Sequence, residues 1–454
     1  MAYQTINSAT GEVLQDFDSW NSEQLEAALT QVAAASPAWA QTDLTERCVL
    51  LLRMASVLRK QKETLAQLVT LEMGKLISES RAEVEKCISG CEYYAEMAPR
   101  FLADEIIETD ASRSLVAYQP LGTVLAVMPW NFPLWQVFRF IAPTLAAGNT
   151  GLLKHASNVP QCALAIEQIV NEAGFPQGVF RTLMIDASTV SQVISDPRVH
   201  AVTLTGSEQA GRQVAACAGE NLKKSVLELG GSDAFVVLAD ADLDLAVEQA
   251  VVSRYLNAGQ SCIAAKRFIV VDDIAEEFVS RFATAVAGLK IGDPAGEQTT
   301  LAPMARTDLR DELHKQVEFS VQAGANVVIG GNPVEGPGVF YEATILDQVE
   351  PGMAAYDEEL FGPVAAVIRA RDADHALSIA NSSRFGLGGS VWTQNIEKGE
   401  QFARRLQSGS AFVNGMVKSD ARLPFGGVKA SGYGRELSHH GMREFVNIKT
   451  IWIR

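Results

Sequence analysis

From residue 122 to residue 229 the chain alternates short apolar, β-branched runs with helical stretches, and this rhythm leaves few folds open. Strand-like runs at 122–128, 150–153, 179–184, 201–205 and 226–229 are each too short and too apolar to stand at a solvated surface. Helical runs at 134–147 and 159–173, and shorter stretches after the later strands, supply the crossovers that parallel pairing requires. The pattern predicts a doubly wound parallel sheet with ligands at the carboxyl ends of its strands. A second α/β series begins near Ser232, with strands at 234–237, 268–271, 327–329, 364–368 and 410–413 and a helix at 275–289. Ahead of both, the first hundred residues read as helix: a run capped by Asn21-Ser22-Glu23 to about residue 35, then 44–59 and 79–94. The break between the two α/β halves is expected at Gly230-Gly231.

A chain of 454 residues, 47% apolar and 20% charged, buries a large core and divides into two or three domains. Its formal charge of −16 argues against a nucleic-acid partner. The cysteines (48, 87, 91, 162, 217 and 262) are irregularly spaced. Cys87 and Cys91 lie one helical turn apart, but no second pair or nearby histidine completes a metal site, so no metal is expected. The polar stretch from Met1 to Gly11 lacks the apolar core of a secretory signal, and reduced thiols in the cytoplasm are the expectation. Residues 124–148 are mostly apolar, yet Pro129, Pro133, Pro143, Asn131 and Arg139 interrupt them, so no membrane span is expected.

Several segments carry groups suited to chemistry. Asn257-Ala258-Gly259-Gln260-Ser261-Cys262 puts a cysteine on a small, flexible turn, and Val226-Leu227-Glu228-Leu229-Gly230-Gly231 puts a carboxylate at the end of an apolar run. A thiol nucleophile and a desolvated base are what two-step acyl chemistry needs, although a lone buried cysteine is more often an inert small hydrophobe. Pro129-Trp130-Asn131-Phe132-Pro133 holds an amide at a strand end, where it serves an oxyanion or caps the next helix. Thr205-Gly206-Ser207 opens a helix whose free N–H groups suit a pyrophosphate, and a plain serine cap reads equally well. Lys154 ends another strand of the same half, and Glu358-Glu359-Leu360-Phe361-Gly362-Pro363 sets two carboxylates before a rigid turn.

Together these segments resemble the NAD(P)-dependent aldehyde dehydrogenase superfamily along essentially the whole chain. The matching pieces include Leu227-Glu228-Leu229-Gly230-Gly231, Gly259-Gln260-Ser261-Cys262, Glu359-Leu360-Phe361-Gly362-Pro363 and Pro424-Phe425-Gly426-Gly427-Val428-Lys429. They keep the family's order, with 34 residues from Glu228 to Cys262 and 97 from Cys262 to Glu359. The resemblance implies an α/β fold with a Rossmann-type cofactor domain (1–107 and 121–230), a second α/β catalytic domain (231–440) and a small β platform for oligomerisation (108–120 and 441–454). It implies Cys262 as nucleophile, Asn131 and the Cys262 N–H as oxyanion donors, and Glu228 as the base that activates the hydrolytic water. It further implies NAD or NADP as cofactor, held by Trp130, Lys154, Ser157, Gly206, Ser207, Leu229, Glu359 and Phe361. Where many NAD-preferring relatives carry a glutamate, this chain has Ser157, which removes a charge that would repel a 2′-phosphate, so NADP is expected to be tolerated.

Arg139 lies eight residues after Asn131 on an otherwise apolar helix, where an arginine needs a partner. Succinate-semialdehyde dehydrogenases resemble the chain here and use that arginine for the distal carboxylate, with Ser419 as a second contact. At a third position they tend to carry arginine and this chain has Leu256; Arg254 lies two residues away, and Lys418 and Arg422, close to Ser419 in sequence, could compensate. The expected substrate is therefore succinate semialdehyde or a similar short ω-carboxy aldehyde. A dehydrogenase for glutarate semialdehyde or an uncharged aldehyde is the alternative. A purely structural role is disfavoured by the presence of Cys262, Glu228 and Asn131. The alternating run at 114–119 and the apolar end at 450–454 expose strand edges that invite a partner chain, and a homodimer or homotetramer is expected.

Overall fold

A computed structural model describes residues 3–454; Met1 and Ala2, where the polar stretch begins, lie outside the described residues. The alternating segments form a six-stranded sheet in the order Gly432–Tyr433, Lys224–Glu228, Ala201–Thr205, Thr123–Met128, Thr150–His155 and Phe180–Thr182. All neighbours are parallel except the first pair. Two apolar clusters cover its faces, which is why strands such as Ala201–Thr205 are buried throughout instead of alternating. The seven-stranded second sheet runs Asn326–Ile329, Thr344–Asp347, Val364–Ala370, Ala265–Val271, Asp233–Val237, Gly389–Trp392 and Phe412–Val413, parallel except at its first pair.

Pairing departs from the expected boundaries at two places. Gly432–Tyr433, assigned by position to the catalytic half, crosses back to add an antiparallel strand beside Lys224–Glu228. Glu105–Ile106 joins Arg113–Pro120 and Val446–Ile453 in a three-stranded sheet, so that sheet begins earlier in the chain than residue 108. The two apolar runs expected to seek another chain pair with one another over eight residues each, which satisfies their backbones locally. Ile448, Trp452 and Ile453 still expose apolar surface on that sheet.

The helix at Ser22–Gln41 starts with reciprocal bonds between Asn21 and Gln24, as its cap sequence predicts. Helices Leu44–Lys60 and Ile77–Phe101 follow, the latter extending beyond the expected 79–94 at both ends. Helix Trp135–Ala146 is buried on every side, between the first sheet and Ile77–Phe101. Charged groups on and around this helix therefore meet protein or a cavity before they meet bulk water. Among the described residues, no helix is long and apolar enough to cross a membrane.

Candidate active site

Cys262 follows a backbone held in an unusual shape. Asn257, Ala258 and Gly259 have φ of 56°, 51° and 73°, the left-handed region that costs non-glycine residues roughly 1 kcal/mol each. A Cβ on Gly259 would lie 2.2 Å from the Gly362 carbonyl, so only glycine fits there. Side chains from four directions hold the turn. The Asn257 N–H donates to both Glu79 oxygens at 3.1 Å, and the Asn257 amide donates to the Asn131 carbonyl at 2.9 Å. Arg254 donates to the carbonyls of Gly259 (2.6 Å), Gly362 (2.7 Å) and Ala265 (3.0 Å). Lys266 donates to the carbonyls of Ser261 (2.8 Å) and Cys262 (2.7 Å). Arg254 is thus a buried brace for the turn and does not compensate for Leu256.

Asn131 caps no helix. Its amide nitrogen donates to the Gln260 carbonyl at 3.0 Å, and its oxygen accepts from the Gln136 amide at 3.1 Å. Those two bonds fix which way the amide faces and leave one N–H uncommitted. His155 anchors the loop from behind. It donates through Nε2 to the Pro133 carbonyl and accepts at Nδ1 from the Ala156 N–H, and burial lowers it to about 4, so the ring is neutral.

Two cavities of about 220 Å³ each involve this segment, one lined by Cys262 and the other by its neighbours Ser261 and Ile263. The first is lined by Cys262 and Asn131 together with Trp130, Gly206, Ser207, Leu229, Glu359 and Phe361. These expected cofactor residues are brought together. Trp130 and Phe361 meet edge to face at 5.9 Å, and Glu359 is held by the Gly231 N–H (3.0 Å) and the Lys266 ammonium (3.2 Å). Ser207 does cap helix Glu208–Glu220, and a Cβ on Gly211 would lie 2.6 Å from Leu229, so glycine lets that helix seat against the strand end. A strand end opening onto a helix N-terminus, beside a slot walled by aromatic rings, suits a dinucleotide. Lys154 and Ser157 do not reach this cavity. Lys154 is half-buried with its ammonium 5.9 Å from the Tyr3 ring, and burial lowers it; Ser157 lines a separate hollow with Asn158 and Arg306.

The second cavity is lined by Ser261 and Ile263, the neighbours of Cys262. Lys86, Leu256, Lys418 and Ser419 line it as well, so the position where relatives carry arginine contributes an apolar wall. The Lys86 ammonium donates to the Ser419 hydroxyl at 2.6 Å and sits 4.7 Å from the Trp135 ring centre. The sequence reading passed over Lys86. Its signal is a lysine three residues after Glu83 and four before Gly90, on the buried stripe of its helix. Arg422, the other expected substitute, is exposed and paired with Asp420 at 2.6 Å.

Arg139 has an internal partner. Its guanidinium pairs with buried Glu436 at 2.5 Å, reaches the Thr205 hydroxyl at 3.4 Å and stacks 4.8 Å from the Phe425 ring. An arginine on a helix buried all round needs an internal counter-charge, and Glu436 supplies it. Arg139 therefore does not line the cavity with Ser419.

Glu228 ends its strand beside this pair. Both its oxygens are buried without a hydrogen-bond partner, and burial, then repulsion from Glu436, push its carboxyl well above the usual range while Arg139 opposes them. Leu229 and Gly230 line the cofactor cavity but the Glu228 side chain does not; it lies against Gly426. Cys262 is half-buried, and burial raises its thiol to about 12 against the pull of Lys266 and Arg139. The resting group is a neutral thiol. Cys87 and Cys91 are buried in the core, and among the described residues no group of three or more His, Cys, Asp or Glu side chains is placed to hold a metal.

The model of the aldehyde dehydrogenase family matches residues 1–451. A probable succinate-semialdehyde dehydrogenase [NADP(+)] of Synechocystis sp. is 49% identical over 100% of both chains. A succinate semialdehyde dehydrogenase [NAD(P)+] of Escherichia coli is 50% identical over 99% of this chain and 97% of its own. Among solved structures, succinic semialdehyde dehydrogenase from Streptococcus pyogenes in complex with NADP+ superposes over 100% of both chains, with a TM-score of 0.98 at 40% identity. The turn, the two cavities and the end-to-end match have one explanation: the chain belongs to the aldehyde dehydrogenase family.

Proposed function

We propose that the protein oxidises succinate semialdehyde to succinate with NADP or NAD, through a thioester on Cys262. The observation that carries the substrate is the near-half identity, end to end, to relatives named for that aldehyde. The residues of the first cavity would hold the cofactor, which would supply the hydride acceptor. The Cys262 sulfur attacks the aldehyde carbon as the thiol proton passes to water. The oxyanion of the resulting thiohemiacetal takes the uncommitted N–H of Asn131 and the N–H of Cys262, donors already aimed and so requiring little reorganisation. Once hydride has left, the thioester is cleaved by water whose proton passes to Glu228. A carboxylate without hydrogen bonds and raised by burial is a strong base when ionised. Ser419 contributes a hydroxyl to the substrate cavity, and Trp130, Gly206, Ser207, Leu229, Glu359 and Phe361 bind the cofactor. Lys154 and Ser157 bind its adenosine end, where serine accepts either cofactor.

The test is reduced-nicotinamide formation from succinate semialdehyde, compared with Cys262→Ala, which is expected to abolish it. No reduction of either cofactor by the wild-type protein with any aldehyde would refute the reading. Ser157→Glu is expected to lower kcat/KM for NADP about tenfold relative to NAD by placing a charge near the 2′-phosphate. An unchanged ratio would remove Ser157 from cofactor selection.

A further inference from the structure

We propose that Lys266 is a positioning residue that ties the Cys262 N–H, the backbone donor to the oxyanion, to Glu359 at the cofactor cavity; this rests on the roles given to Cys262 and Glu359 above. Lys266 is the second residue of strand Ala265–Val271, which is buried along its whole length. A lysine is rarely found in such a place, because an ammonium taken out of water needs a partner for each of its N–H groups. Here all three are met. Two go back along the chain to the carbonyls of Ser261 at 2.8 Å and Cys262 at 2.7 Å, with the Ala264 carbonyl farther off at 3.5 Å. The third reaches a Glu359 oxygen at 3.2 Å. Buried Asp233 feels the same charge but accepts the Gly388 N–H at 3.0 Å. Arg267, the next residue of the strand, spends its N–H groups on the carbonyls of Ser232, Ile379 and Ala380 and takes no part.

The Ser261 bond matters because of the peptide it touches. That carbonyl belongs to the same peptide unit as the Cys262 N–H. Hydrogen bonds in a chain polarise one another, so a charged donor on the carbonyl strengthens the N–H in turn. The peptide is planar, so holding its carbonyl also fixes where the N–H points. The bond to the Cys262 carbonyl fixes the next peptide, and the nucleophile is gripped on both sides of its Cα. At the far end Lys266 shares the Glu359 Oε1 with the Gly231 N–H, which lies 3.0 Å from it. The other oxygen, Oε2, is left for a ligand. A Cβ on Gly230 would lie 2.4 Å from Oε2, so glycine keeps that oxygen unobstructed, and Gly230 and Glu359 both line the cofactor cavity. Arg254 braces the same turn through other carbonyls and reaches neither group. One ammonium therefore joins the oxyanion donor to the carboxylate of the cofactor cavity.

Two measurements test the two ends. Calorimetry gives the Kd of NADP for wild type, Lys266→Met, Glu359→Gln and the double variant. Lys266→Met is expected to weaken NADP about tenfold, the effect of losing a hydrogen bond to a charged group. Once Glu359→Gln is in place it is expected to add less than about twofold, because the lysine acts on the cofactor only through that carboxylate. Equal losses in the two backgrounds, the mark of a merely structural lysine, would overturn the link to Glu359. Rapid mixing at saturating NADP and succinate semialdehyde gives the rate of the first turnover. Lys266→Met is expected to slow it about tenfold or more, approaching the loss of an oxyanion donor. A first turnover at the wild-type rate would overturn the link to the Cys262 N–H. If Lys266→Met does not fold, Lys266→Gln, which is neutral and shorter, carries both measurements. Should Glu359→Gln alone leave NADP binding unchanged, the cofactor role of Glu359 falls and this inference with it. Should Glu359→Gln weaken NADP while the Lys266 variant does not, the inference alone falls.

Discussion

Two buried groups of charges, one around Arg139 and one around Lys75, are close to opposites. In the first, Arg139 pairs with Glu436, and Glu228 is the carboxylate left over. In the second, Lys75 pairs with Glu83, and Lys86 is the cation left over. Each cluster holds one ion pair and one further group with unmet capacity, and in the first the Arg139 Nε and the Glu436 oxygens also lack hydrogen-bond partners. The difference in sign decides what each surplus group can do. The surplus carboxylate has no hydrogen bond and a strong tendency to take a proton, as a base requires. The surplus ammonium keeps N–H groups free of protein partners in the second cavity. In both clusters the paired residues set the environment of the unpaired one.

The largest effect that tests this comparison is expected at Glu228. Glu228→Gln removes the base and keeps the shape, so steady-state turnover should fall about 10³-fold. Rapid mixing should still give one burst of reduced nicotinamide per Cys262, because hydride departure precedes the hydrolysis. A lost burst would put Glu228 in the first half of the reaction instead.

Arg139→Met removes the cation paired with Glu436 and leaves Arg435 as the remaining positive charge acting on Glu228, so the Glu228 proton is held more tightly and turnover of acidic and neutral aldehydes should drop together by about 100-fold. Loss confined to the acidic aldehyde would erase the distinction between the two clusters.

The smallest effect is a shift in pH dependence. Glu228 works only when ionised, and its proton is held well above the usual carboxylate range, so hydrolysis should rise with pH through that raised value. Glu436→Gln removes a repelling charge and should move the rise to lower pH, while Arg139→Met should move it to higher pH. Profiles of thioester hydrolysis for the two variants that shift in the same direction would show that the pair does not tune Glu228.

Much of this was readable from the chain because the informative segments are local. Strands 123–128 and 201–205 announce themselves by unbroken apolar runs, and the turns at 129–133 and 257–262 by proline and glycine. Elements with weaker patterns escaped. The hairpin of Tyr3–Ile6 with Val13–Phe17 has one largely exposed strand, and helix Leu243–Tyr255 lacks a clear apolar face. Within the site, a residue's identity was easier to read than its partner. Arg139 stood out as an arginine on an apolar helix, but the carboxylate that satisfies it comes from the far end of the chain. Lys86 and Ser419 lie 333 residues apart, and only folding makes them neighbours. Periodicity reports which face a side chain occupies, not which remote group it meets there.

The returning strand Gly432–Tyr433 has a consequence for how the molecule is made. It closes the edge of the sheet on which Glu228 sits, with the Leu229 N–H bonded to Ser431 and the Ser431 hydroxyl to Gly230. During synthesis that edge stays open until nearly the whole chain has left the ribosome. The proposed base is thus on a sheet whose outermost hydrogen bonds form only once Gly432 has been made, and a product truncated before it would expose a bare parallel edge, a template for aggregation.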